Sequence, residues 1–173
     1  MKELSLKEHI PGAVVRSVED LFELYRDMIF RLAFVRAKST ADAEDIVQEV
    51  FVRYIRSKPE FESGEHQKAW LIRTAINCGN SFLTSVWRRT ISPLEDSTGA
   101  PDPLLHTAET QTDVYRHVLA LPEKQRTAIH LFYYEGYKIE EIARLMAAGE
   151  SAVKTWLMRG RITLRETLDE EDL

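Results

Sequence analysis

The chain has 173 residues, with 23 Lys+Arg against 28 Asp+Glu and a formal net charge of −5. Hydrophobic residues make up 44% of it and charged residues 29%, a globular balance that argues against a disordered or fibrous protein. The single cysteine, Cys78, excludes an intrachain disulfide and a cysteine-rich zinc site. No segment is apolar enough for a membrane span or a secretory signal, which predicts a cytoplasmic protein.

The negative charge is unevenly distributed along the chain. Residues 1–91 carry net +1 and residues 114–168 carry net +3, whereas residues 92–113 carry net −5 and residues 169–173 carry net −4. The acidic excess therefore lies in a linker-like segment and a tail. The overall charge does not exclude binding to DNA, although DNA attracts basic surfaces.

The first half of the chain shows helical periodicity. Apolar residues recur at three- and four-residue steps over 18–35, which predicts the first helix. Thr40 is expected to cap the second helix, which carries acids in its first turn and stops at Ser57-Lys58-Pro59. After a short loop, a third helix is predicted from about Gln67 to Arg88.

A proline-rich stretch without Lys or Arg, residues 92–112, predicts a flexible acidic linker. Beyond it, Pro122 suits the first position of a helix that runs to about Tyr134 and ends at Gly136. Two more helices are predicted, at 139–146 and at about 151–168. The predicted fold is all-α, with two small helical domains at 1–91 and 113–173 joined by the linker.

The segment IEEIARLMAAGESAVKTWLMRGR has the spacing of a helix-turn-helix. Small Ala143 suits the point where two helices cross, the turn begins at Ala147, and Val153 anchors the second helix. That helix has no acid from Ser151 to Arg165, so its exposed face suits a DNA groove and phosphates. The alternative is a surface helix whose basic residues complement its dipole.

Two patterns mark the N-terminal half. Asp42, Asp45 and Glu49 share one face of the second helix, which suits docking of a basic partner helix or is simply a solvated acidic face. In the third helix aromatics interleave with bases and amides, which suits an unpaired nucleic-acid strand. The alternative is that Trp70 and Phe82 belong to the core. We find no phosphate-binding glycine loop, nucleophile elbow or histidine pairing, and predict no catalytic activity and no cofactor.

DAEDIVQEVF, KAWLIRTAIN, LPEKQRTAIHLFYYEGYKIEEIARLM and SAVKTWLMRGR resemble, in that order, the extracytoplasmic-function (ECF, group IV) σ factors of the bacterial σ70 family. The resemblance covers roughly residues 18–168. It implies a σ2-like domain at 1–91 that binds RNA polymerase core and opens the −10 element, and a σ4-like domain at 113–173 that reads the −35 element. It also implies that the linker threads through polymerase near the RNA exit path.

The resemblance implies a role for each matched residue. The clamp helices of the polymerase β′ subunit would be bound by Asp42, Asp45, Gln48, Glu49 and Phe51. The −10 element would be contacted by Arg73, Asn77, Cys78, Asn80, Arg88 and Arg89, with a flipped base captured at Asn77. The −35 element would be read by Lys154, Thr155, Trp156, Met158, Arg159 and Arg161, in a domain that also touches the β flap.

Two positions depart from the family pattern. Trp156 stands where many relatives carry Arg or Gln, and Gly160 lies inside the recognition helix, where glycine costs about 1 kcal/mol relative to alanine. Residues 1–17 lie outside the resemblance and receive no role. The family is commonly inhibited by an anti-σ factor. The alternatives are a helix-turn-helix regulator that is not a polymerase subunit, and a helical adaptor that does not bind DNA.

Overall fold

The computed structural model describes residues 12–89 and 109–171, with side chains over 12–81 and 114–169. All the regular structure within these ranges is helical, so the predicted all-α fold is confirmed. The described residues fall into two compact units. The first takes residues 12–34 and 41–89, and the second takes residues 35–40 and 109–171.

The first unit is built from three helices, α1 (Val18–Ala37), α2 (Thr40–Ser57) and α3 (Gly64–Arg89). The last turn of α1, from Val35 on, and Thr40 at the start of α2 belong to the second unit. The residues that end α1 and α2 are followed by Lys38 and Lys58, both of which have positive φ and so break the helical path. The buried residues of α2 recur at helical spacing and form the stripe that faces the core; they are Ala43, Ile46, Val47, Val50 and Phe51.

The start of α3 is set by a close backbone approach. The Gly64 N–H donates to the carbonyl of Gly12 at 2.8 Å, and a β-carbon at Gly64 would lie 2.5 Å from the Ala13 carbonyl oxygen. Only glycine fits this approach. The helix begins at this glycine, three residues before the start that periodicity predicted. The buried amide of Gln67 then exchanges two hydrogen bonds with the main chain of Val15, at 2.8 and 2.9 Å.

The second unit contains α4 (Glu109–Ala120), α5 (Glu123–Ile129), a π-helical turn (His130–Tyr134), α6 (Ile139–Leu145) and α7 (Glu150–Glu171). Its core includes Val118, Leu121, Ile129, Leu131, Ile142, Val153 and Leu157. The predicted linker falls mainly on residues 92–108, outside the described residues, and its last four residues are already helical in α4. Pro122 caps α5 instead of occupying its first position.

Two buried arginines lie inside the second unit. Arg126 donates hydrogen bonds to the carbonyls of Val35, Leu121 and Arg36. The Arg36 guanidinium, only 2% exposed, lies 2.6 Å from the Glu123 carboxylate and also donates to the Thr127 hydroxyl. Because a buried cation is costly without partners, these contacts explain how both side chains are accommodated.

Candidate partner and nucleic-acid interfaces

An acidic surface runs along the exposed side of α2. Asp45 and Gln48 are exposed, and Asp42 and Glu49 are half-buried beside them. The Glu49 carboxylate accepts a hydrogen bond from Arg53 Nε at 2.7 Å, one helical turn away. The structure thus brings together four of the five residues predicted to bind the polymerase clamp.

Phe51, the fifth, lies in the core. Its side chain is 5% exposed and packs edge-to-face on Phe22, with ring centroids 4.9 Å apart. The apolar stripe of α2 carries Phe51 inward, because it follows Val47 and Val50 at helical spacing. Phe51 therefore packs in the core and is not part of the exposed acidic face of α2.

A groove between α2 and α3 borders the acidic surface. Its lining includes Asp45, Glu49, Val52, Arg53 and Cys78. Cys78 was predicted to contact DNA, but its thiol is 4% exposed and faces this groove floor. Burial raises the pKa of the Cys78 thiol, and the nearby Arg53 guanidinium acts in the opposite direction. A thiol buried in this way is a packing group and lies off the exposed face of α3.

The exposed face of α3 carries three polar side chains at helical spacing. Arg73, Asn77 and Asn80 are all exposed and lie at i, i+4 and i+7, so they share one side of the helix. Arg88 and Arg89 are the last residues of the same helix, and their side chains lie outside the described residues. The structure therefore groups three of the six predicted −10 residues and excludes Cys78 from their surface.

Trp70 belongs to an aromatic cluster. Its ring meets Tyr54 and Phe61 edge-to-face, with centroids 5.8 and 6.1 Å away, and Phe61 also meets His66. The Trp70 ring is half-buried, so these contacts favour the interpretation in which it supports the fold of the unit. Phe82, the other aromatic in question, lies outside the described side chains.

The predicted helix-turn-helix is present as α6, a short turn and α7. Ala143 is 6% exposed where α6 faces α7, while Ile142, Val153 and Leu157 are buried. Ala147 has φ of 50°, a left-handed conformation that reverses the chain, and the Ala148 N–H donates to the Ala143 carbonyl at 2.9 Å. Met146, the residue after α6, is half-buried.

The outer face of α7 carries most of the predicted −35 residues. Lys154, Met158 and Arg159 are exposed, with Met158 53% exposed, and Thr155 lies half-buried beside them. Since no acid occurs between residues 151 and 165, this face is basic and apolar. Such a mixture suits contact with phosphates, base edges and thymine methyl groups.

Trp156 and Arg161 lie on the two flanks of that face. Trp156 is half-buried, and the Lys124 ammonium sits 5.5 Å from the centre of its ring. Arg161 is exposed, and its Nε donates to the Tyr133 hydroxyl at 2.8 Å. Lys124 and Tyr133 were not identified from the sequence, because each meets its partner through the fold.

The described residues hold no cluster of acids, histidines or cysteines suited to a metal ion. No helix within the described parts of the chain is both long and apolar enough to cross a membrane. What the described surface does offer is an acidic face on α2, a polar face on α3 and a basic face on α7.

Two family models match the chain. Residues 21–89 match the model described as "Sigma-70 region 2", and residues 112–164 match "Sigma-70, region 4". The first match covers α2 and α3 with their exposed faces. The second covers the helix-turn-helix.

Relatives from several bacteria are similar over most of the chain. The ECF RNA polymerase sigma factor SigE of Mycolicibacterium smegmatis is 31% identical over 166 residues, which cover 90% of this chain and 63% of that protein. The chain thus spans less than two thirds of that relative. The RNA polymerase sigma factor SigV of Bacillus subtilis is 30% identical, with 86% of this chain and 89% of that protein covered.

Solved structures share the fold. The sigma factor RpoE from Bartonella quintana, in complex with the anti-sigma factor NepR, superposes with a TM-score of 0.76 at 23% identity, covering 90% of this chain and 98% of that one. CnrH in complex with the cytosolic domain of CnrY superposes with a TM-score of 0.58 at 18% identity, covering 88% of each chain.

Proposed function

Since the chain belongs to the ECF σ factors of the σ70 family, we propose that it directs RNA polymerase core to specific promoters and opens their −10 element. The observation that carries this proposal is that one chain presents both an exposed acidic face, on α2, and an exposed basic face, on α7. Each face lies in one of the two regions that the family models match.

The acidic face of α2 is proposed to bind the β′ clamp helices. Asp45 and Gln48 are exposed at its centre, and Asp42 and Glu49 border them. Carboxylates at an interface rim accelerate association with a basic partner and select against acidic ones. This function fits a helix that buries its apolar stripe, Phe51 included, and keeps its acids in water.

The polar face of α3 is proposed to open the −10 element. Asn77 has an amide that can donate to and accept from the edge of an unpaired base, and Arg73 lies one turn away to hold the backbone. Asn80 extends the same face by another turn. Arg88 and Arg89 extend the proposed site along the helix.

The outer face of α7 is proposed to read the −35 element in the major groove. Thr155, Met158 and Arg159 form its centre and Lys154 lies at its edge, with Arg159 able to contact guanine or a phosphate. Trp156 packs under Lys124 at the edge, so it supports the surface more than it reads bases. The same domain is proposed to touch the β flap.

The remaining assignments follow from this function. We place the σ2-like domain at 1–91, the linker at 92–112 and the σ4-like domain at 113–173. σ factors as a family are not enzymes, and we propose that this one leaves the chemistry to polymerase. Its site of action is then the cytoplasm, where polymerase works. The neighbours solved with anti-sigma factors motivate the proposal that an anti-σ factor inhibits this protein too.

Reconstitution of transcription tests the function. Purified protein is mixed with core polymerase and a library of promoter fragments, and run-off transcripts are sequenced. Transcripts that start from a shared −35/−10 pattern are expected, and core alone is the control. Binding to duplex DNA without any complex with core would instead identify a helix-turn-helix regulator. Binding to neither would indicate a helical adaptor.

A further inference from the structure

Arg161 is held by a pair of consecutive aromatic residues from the π-helical turn. Its Nε donates to the Tyr133 hydroxyl at 2.8 Å. Its guanidinium carbon lies 5.6 Å from the centre of the Phe132 ring and 5.7 Å from that of Tyr133. Two cation–π contacts and a hydrogen bond thus fix one exposed side chain.

The π-helical turn places both rings beside α7. The Glu135 N–H bonds to the carbonyl of His130, five residues back, which widens the helix by one residue relative to an α-turn. Phe132 and Tyr133 then meet edge-to-face, with centroids 5.0 Å apart, and Tyr133 remains 56% exposed. Such turns are frequent at functional sites.

The Arg161 guanidinium, held by Tyr133 through Nε, keeps further N–H donors that can bind a ligand. Guanidinium has five N–H donors, and the Tyr133 bond uses the one on Nε, which leaves the two Nη groups as a fork. No acidic partner for Arg161 occurs among the side chains that the structure describes. A fork of this kind matches two oxygens of a phosphate.

We propose that Tyr133, with Phe132, is a positioning residue that holds Arg161 for a backbone phosphate at the edge of the −35 duplex. This inference rests on the proposed function and refines it. Arg161 then contributes affinity that is independent of base sequence, whereas Arg159 and its neighbours on the outer face distinguish one base sequence from another. Lys154 and Arg165 lie on the same side of α7 and extend the positive edge.

The test measures promoter binding by reconstituted holoenzyme containing the full chain, over a range of salt concentrations. Tyr133→Phe removes the hydroxyl and keeps the ring, and is expected to weaken binding about three- to tenfold, the range for the net contribution of one ordinary intramolecular hydrogen bond. Arg161→Gln is expected to reduce the salt slope by about 0.9, the value for one phosphate. Both variants should keep the wild-type preference for the promoter over a duplex with a scrambled −35 element.

Tyr134→Phe is the matched control, because Tyr134 stacks on His130 and not on Arg161. It should bind like wild type. Arg161→Lys keeps the charge without the fork, so adding Tyr133→Phe to it should cause no further loss.

Three results would overturn the inference. Wild-type binding by Tyr133→Phe together with a lowered thermal midpoint would show a purely structural contact. An unchanged salt slope in Arg161→Gln would exclude the phosphate. A reduced −35 preference in that variant would indicate base reading. If wild-type holoenzyme selects no promoter, the proposed function itself fails.

Discussion

Gly160 of α7 lies against Ile129 of α5 so closely that a β-carbon on the glycine would sit 3.1 Å from Ile129 Cγ1. The same β-carbon would lie 3.6 Å from Leu121 Cδ1. Both neighbours are almost fully buried. Gly160 lowers the helix propensity of α7, but its lack of a side chain is what lets α7 approach α5 this closely.

Gly160→Ala should lower the free energy of unfolding of the second unit by about 1 kcal/mol. Alanine gains about 1 kcal/mol in helix propensity, but overpacking against a β-branched core residue costs about 1–3 kcal/mol. Urea unfolding followed by Trp156 fluorescence, in a chain whose other two tryptophans are phenylalanine, measures the change. Ile129→Ala removes Cγ1, so the loss in the double variant with Gly160→Ala should be smaller than the sum of the two single losses; strict additivity would contradict the crowding.

Gln67→Leu should loosen the segment that precedes α1. The Gln67 side chain satisfies both the N–H and the carbonyl of Val15, and leucine satisfies neither. The expected loss is about 1–3 kcal/mol, the cost of part-buried polar groups left unpaired. Hydrogen exchange of the peptide around Val15 should accelerate, whereas Glu65→Gln, an exposed change on the same helix, should leave it slow. Equal exchange in both variants would count against the role of Gln67.

Asp45→Lys should weaken binding to core polymerase about tenfold, because it places a cation in a surface proposed to meet a basic partner. Asp45 is exposed and has no ion pair among the described residues. The loss should shrink at high salt, since screening weakens rim electrostatics. Glu60→Lys changes net charge equally in the loop after α2 and should bind normally. If both variants lose affinity alike, net charge and not the α2 face is responsible.

Asn77→Ala should impair opening of the −10 element more than binding to core, because base capture follows docking. Asn77 is exposed on α3. Fluorescence of a 2-aminopurine in the −10 element reports opening, and co-elution with core reports binding. Glu65→Gln, an exposed change in the first turn of α3, is the control. Parallel losses in opening and in core binding would contradict the assignment of Asn77.

Cys78 should make the first unit less stable at alkaline pH. Burial raises the pKa of its thiol above the unfolded value, so the folded state holds the proton more tightly. The resulting stability is present below the unfolded pKa and is lost as pH rises through the folded pKa. The measurement compares the unfolding free energies of wild type and Cys78→Ala between pH 7 and 10.5. Both proteins carry the same tyrosines, so tyrosine titration cancels in the difference. The difference in unfolding free energy between the two proteins should narrow as pH rises; a constant difference would exclude the thiol.

Periodicity predicted the helices because their burial is local. The acids of its first turn and the stop at Ser57-Lys58-Pro59 indicated α2, and the spacing of Ala143 and Val153 indicated the helix-turn-helix, as the structure confirms. The buried stripe of α2 carries Phe51 inward, although the family resemblance had placed it at the partner surface. Cys78 was misassigned to the DNA face for a related reason, since its place along α3 does not reveal the groove that buries it.

Contacts between distant parts of the chain could not be predicted in this way. Arg161 and Tyr133 are separated by 28 residues, and nothing in either neighbourhood specifies the other. The close approach of Gly64 to Gly12 is likewise a tertiary event. These contacts depend on how helices pack, and a one-dimensional hydrophobic pattern does not encode packing partners.

The π-helical turn at His130–Tyr134 also makes the placement of the Phe132 and Tyr133 rings depend on the exact number of residues in the turn. Each residue of a helix advances the chain by about 100° around the axis. The wide turn already absorbs one extra residue, because the Glu135 N–H bonds to the His130 carbonyl that residue 134 would reach in an α-helix. Deleting one residue of 131–134 would therefore restore α-helical bonds and keep Glu135 in its present place above His130. The rings of Phe132 and Tyr133 would no longer both keep their present directions, so a one-residue deletion would change the pair that holds Arg161 more than the path of the chain that follows.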